Sequence, residues 1–114
     1  MLNPKDQQYA ERIKELIEEG QVIATLEKPT KKPGIKTIQD NYRLQKWLTN
    51  VEQIVKTTFG QNSLQFQNLS ELLKGSTYYA SAVRGITGLL AGALEDLEKG
   101  FLLEKEILIA GEIF

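Results

Sequence analysis

Tyr78-Tyr79-Ala80-Ser81-Ala82-Val83-Arg84-Gly85-Ile86-Thr87-Gly88-Leu89-Leu90-Ala91-Gly92-Ala93-Leu94-Glu95-Asp96-Leu97-Glu98-Lys99 is the most informative stretch of the chain. Val83, Ile86, Leu90, Leu94 and Leu97 recur at spacings of three and four, which predicts an apolar helical stripe over about Tyr78–Lys99. Ser81, Gly85, Gly88 and Gly92 form a second stripe, of small residues. A glycine inside a helix costs roughly 1 kcal/mol relative to alanine. Three of them along one line therefore predict a neighbouring helix packed closely on that seam, in the core or between chains. Arg84 sits beside the seam. If partly buried it needs a carboxylate, for which Glu95, Asp96 or Glu98 of a facing chain are candidates.

Outward from this element the pattern stays helical. Gly100 is expected to break or bend the chain, and Phe101–Phe114 reads as a fifth helical segment carrying Leu103, Ile107, Leu108, Ala110 and Ile113. It ends on Ile113 and Phe114 without a polar closing turn, which predicts docking onto the core or a dimer partner, or continuation into a longer protein. Upstream, Lys74-Gly75-Ser76-Thr77 reads as a helix stop followed by a cap, with Ser76 or Thr77 opening the fourth helix. Leu64, Leu69, Leu72 and Leu73 mark a short third helix capped by Asn62 or Ser63. Leu44, Trp47, Leu48, Val51, Ile54, Val55 and Phe59 mark a second helix beginning near Ile38 and closed by Gly60. Tyr9, Ile13, Leu16, Ile17, Gly20, Ile23 and Ala24 mark a first, over about Pro4–Leu26, with Pro4 suited to its first turn.

Between the first two helices, Glu27–Thr37 holds Pro29, Pro33, Gly34 and the lysines Lys28, Lys31, Lys32 and Lys36, and lacks an apolar period. It reads as a loop. No strand alternation is visible, so the expected fold is all-α: a single domain over residues 1–114, a bundle of four to five helices with short connections and one basic Pro/Gly loop.

Composition narrows function mainly by exclusion. The chain has 114 residues, 14 Lys+Arg against 15 Asp+Glu, and neither Cys nor His. Disulfides, Cys/His zinc sites, haem ligation by those residues, Ser-His-Asp triads and cysteine nucleophiles are therefore excluded. No cofactor is expected. Glu95, Asp96 and Glu98 share one turn and offer oxygen ligands for Mg²⁺, but solvated charge supported by a Glu95–Lys99 pair explains them more simply. The opening residues have no apolar run behind a basic start, which predicts a cytoplasmic protein without a membrane span. Lys28, Lys31, Lys32 and Lys36 could hold nucleic-acid phosphates. The loop has no interleaved aromatic for base stacking, so a solvated linker is the plainer reading. Gly85-Ile86-Thr87-Gly88 lacks the preceding strand of a dinucleotide fingerprint, and Tyr78 and Tyr79 read as core or interface aromatics.

Ile17-Glu18-Glu19-Gly20 leading to Ala24-Thr25, the Trp47 helix ending in Phe59-Gly60, Arg84-Gly85, Glu95-Asp96-Leu97-Glu98 with Gly100-Phe101-Leu102, and Gly111-Glu112-Ile113-Phe114 occur in that order over nearly the whole chain. In these pieces the chain resembles the N-terminal helical region of an uncharacterised bacterial protein family whose longer members continue into a HEPN-like helical domain. The resemblance implies a non-catalytic helical module for self-association or for binding a partner protein beside the HEPN-like domain, and the expected self-associated form is a dimer. With no His in the chain, no ribonuclease activity carries over. The expected function is thus an interaction or oligomerisation module, with a weak nucleic-acid accessory role through loop 28–36 as the alternative.

Overall fold

The computed structural model describes the backbone of residues 2–113 and the side chains of residues 2–100. Helices α1 (Pro4–Ile23), α2 (Asn41–Phe59), α3 (Leu64–Leu73) and α4 (Ala80–Ile113) carry most of the chain. A two-stranded sheet of β1 (Glu27–Pro29) and β2 (Lys36–Ile38) lies between the first two helices. The molecule is thus a helical bundle with a small hairpin, not an all-α one.

Local chemistry places the first three helix starts. Asn3 accepts the Asp6 N–H at 2.8 Å and Pro4 occupies the first turn of α1, where its missing N–H has no helical partner to lose. Asp40 caps α2 through the Arg43 N–H, so that helix begins three residues after Ile38, which belongs to β2 instead. Ser63 caps α3 by accepting the Phe66 N–H at 3.1 Å. Gly60 closes α2 at φ +94, in the left-handed region that glycine enters freely.

Two expectations for α4 fail. Neither Ser76 nor Thr77 opens it. It begins at Ala80, whose N–H donates to Glu27 Oε2 on β1 at 2.9 Å. Gly100 does not interrupt it either, and the expected fifth helix is the continuation of α4 to Ile113. A lone glycine weakens a helix by about 1 kcal/mol, which does not break one with long helical flanks.

The core forms where α1, α2 and α4 meet, with Leu69 of α3 closing one side. Ile13, Ile23, Leu44, Trp47, Val51, Val55, Val83, Ile86 and Leu90 are all buried, and each such side chain contributes about 1.5–3 kcal/mol on leaving water. Trp47 is the largest of them, and its indole N–H donates to the Leu16 carbonyl oxygen at 2.8 Å. Close helix approach occurs at Gly20 on α1. A Cβ there would overlap Thr87 Cγ2 of α4 and the Trp47 ring of α2.

Candidate functional site

Three surfaces carry the residues singled out by sequence, or gather charge and aromatic groups in ways the sequence hides. The first is the small-residue face of α4. Gly85, Gly88 and Gly92 are exposed, and among the described residues nothing outside their own stretch of helix lies within 4 Å of where a Cβ on any of them would stand. Among the described residues no helix packs against the seam, contrary to the core version of the expectation. The apolar stripe of Val83, Ile86 and Leu90, with Thr87 and Ala93, is the face turned to α1. Ser81 and Arg84 are exposed too, so Arg84 needs no buried partner within the chain. Ile107 and Ile113 fall in the last turns of α4, but their side chains, and Phe114 altogether, lie outside the described residues.

Charge is ordered along this face. Arg84 stands near its start and Glu95 about three turns later, so both point the same way. Glu95 binds Lys99 at 2.6 Å as expected, and the hydrogen bond from that ammonium, followed by its charge, holds the Glu95 carboxyl below its ordinary value.

The second surface is the hairpin. Glu27 pairs with Ile38, Lys28 with Thr37 and Pro29 with Lys36 in antiparallel register. The four-residue turn is set by Pro33 followed by Gly34 at φ +78, with the Ile35 N–H donating to the Lys32 carbonyl oxygen at 3.2 Å. Proline and then a left-handed glycine at the central positions is the signature of a type II turn. The Thr30 hydroxyl donates to the Ile35 carbonyl oxygen at 2.9 Å and fastens the turn across its base.

The pleat divides the four lysines. Neighbours in a strand point to opposite faces, so Lys36 shares the face of Ile38 while Lys28 shares that of Thr37. Lys31 and Lys32 lie in the connection between the strands. Beside Lys36 the fold delivers the aromatic groups absent from the loop's own sequence. The Ile38 N–H donates to the Tyr78 carbonyl oxygen at 2.7 Å, which lays the chain entering α4 along the outer edge of β2. Tyr79, Lys36, Ile35, Gly34 and Glu27 line one hollow of about 300 Å³. The Tyr78 ring stands 4.7 Å from that of Tyr79 and is 45% exposed. The charge of Tyr78 when ionised, and then partial burial, raise the pKa of the Tyr79 phenol. None of the four lysines takes part in an ion pair among the described residues.

The third surface is a hollow of about 560 Å³ between α1 and the start of α2. Arg12 pairs with Glu15 at 2.9 Å and Arg43 with Glu19 at 2.7 Å, while Lys46 and Asp40 complete a lining with as many positive as negative groups. Two of its three cations are already paired and its charges balance, which selects no ligand. The hydrogen bond from Arg43 to Glu19 raises the guanidinium pKa, as expected of a cation in partnership. Among the described residues no three carboxylates gather to hold a metal ion, and no helix is long and apolar enough to cross a membrane.

Together these features define a small helical protein with a basic hairpin and an uncovered glycine seam. No protein-family model, curated protein or solved structure matches the chain.

Proposed function

We propose that this chain is a non-catalytic self-association module in which the glycine face of α4 pairs with the same face of a second copy. Its setting follows the resemblance, beside a HEPN-like domain in a bacterial cytoplasm. The observation that carries the reading is the exposure of Gly85, Gly88 and Gly92 in the middle of a helix, with nothing else among the described residues packed against them. Glycine weakens a helix unless something uses the space it leaves, and small residues are what allow two helix backbones to approach closely.

The charge order selects an antiparallel pair. A two-fold axis between Gly88 and Ala91 sets Arg84 of one copy beside Glu95 of the other, and does so twice. A parallel pair sets like charges together. A net charge of −1 leaves little overall repulsion between copies. Sedimentation velocity across a concentration series tests the reading. The wild-type chain is expected to dimerise, and Gly88→Leu to remain monomeric with an unchanged helical circular-dichroism spectrum. A wild-type monomer at every concentration, or a Gly88→Leu variant that associates undiminished, overturns it.

A further inference from the structure

The hairpin carries an inference independent of self-association. A basic segment without aromatic groups reads as a linker, because a single strand needs cations for its phosphates and flat faces for its bases. The folded chain supplies both. Lys31 and Lys32 in the connection between the strands and Lys36 on β2 are exposed and free of ion pairs among the described residues. Tyr79 reaches the hollow beside Lys36 from forty residues downstream, through the backbone bond between Ile38 and Tyr78, and the Tyr78 ring stands 4.7 Å from its own. Tyr79 is half-buried and walls the hollow beside Lys36, while Tyr78 presents its ring to solvent.

We infer that this side of the hairpin binds single-stranded nucleic acid, with phosphates on Lys31, Lys32 and Lys36 and a base stacked on Tyr78. Glu27 fixes the path. Its carboxylate lines the hollow and is committed to the Ala80 N–H, so the start of α4 is already occupied by an anion and the strand follows the lysines. Lys28, on the opposite pleat face, stands away from that path. The ligand is a single strand and not a duplex, because a base stacked within a duplex has no free face to offer Tyr78.

Fluorescence anisotropy of a labelled oligouridine at low salt, with a duplex of equal length for comparison, tests the assignment on the full chain. The wild type is expected to bind the single strand more tightly than the duplex, with affinity falling as salt rises. Tyr78→Ala is expected to weaken binding about tenfold, as loss of one base stack does, and Tyr78→Phe to retain it. Lys36→Ala is expected to weaken binding more than Lys28→Ala. All of these positions are exposed, and circular dichroism confirms that each variant is folded. Absence of wild-type binding, equal affinity for duplex and single strand, or indifference to both Tyr78→Ala and Lys36→Ala overturns the inference.

Discussion

Gly20 and the three α4 glycines are chemically identical and do opposite things. Gly20 lies on the buried stripe of α1 among Ile13, Leu16 and Ile23, where Thr87 and the Trp47 ring occupy the place of a side chain. Gly20→Ala inserts a methyl group into filled space, and overpacking of this kind costs about 1–3 kcal/mol. Urea denaturation should show the midpoint fall with little change in slope. Trp47→Phe retains most of the apolar contact but removes the indole donor to the Leu16 carbonyl oxygen. A cost of about 1 kcal/mol is expected by the same measurement, because a typical intramolecular hydrogen bond contributes that much. What distinguished the two kinds of glycine was legible in the sequence, though only through their neighbours. Gly20 alternates with apolar residues at helical spacing, whereas Gly85, Gly88 and Gly92 share their face with Arg84 and Glu95. Glycine count alone points to the wrong helix for the close approach. At Glu95, an NMR titration should place the carboxyl midpoint below that of an ordinary glutamate, and Lys99→Ala should return it upward. The sign follows from the pairing: a partner that favours the ionised form lowers the pKa, and its contribution is present above the ordinary glutamate range and lost as pH falls through the depressed value.

At the scale of elements, the starts of α1 and α3 and the end of α2 follow from residues within a turn of the boundary, so Pro4, Ser63 and Gly60 are readable directly. The start of α4 is not, because its cap comes from Glu27, on a strand more than fifty residues earlier. The strands escape sequence reading for a related reason. Each is three residues long, too short for alternation to register, and β2 is held on its outer edge by the Tyr78 carbonyl as well as by β1. Hairpin and helix therefore stabilise one another. Glu27→Ala removes the acceptor for the first α4 N–H and is expected to cost about 0.5–2 kcal/mol, as loss of a helix cap does. Thermal unfolding followed by circular dichroism measures it. Glu27→Gln retains a side-chain oxygen and should recover part of the loss. The aromatic side of the hairpin has the same origin: Tyr78 and Tyr79 are plain in the sequence, but their position beside Lys36 exists only once α4 has docked.

At the scale of the whole molecule, α4 over residues 80–100 turns one face to the bundle and leaves the other open, and the two alternate within each turn. The inner face of Val83, Ile86, Thr87 and Leu90 meets α1, and this division leaves Arg84, Gly88, Ala91 and Glu95 in one outward row. Such a row is self-complementary only when two copies run in opposite directions. Reversing one charge, as in Arg84→Glu or Glu95→Arg, places like charges opposite each other at both ends of the pair, and either single variant should therefore weaken the dimer. The Glu95→Arg variant also loses the Lys99 pair, but that exposed i,i+4 contact contributes only about 0.3–0.5 kcal/mol to its own helix and does not involve the second copy. Combining Arg84→Glu with Glu95→Arg restores opposite charges across the two-fold axis, so the double variant should dimerise more tightly than either single one. A face whose glycines only happen to be exposed gives no such recovery. Sedimentation equilibrium of all four chains at low and high salt measures the difference, and the spread among them should narrow as salt screens the exposed charges.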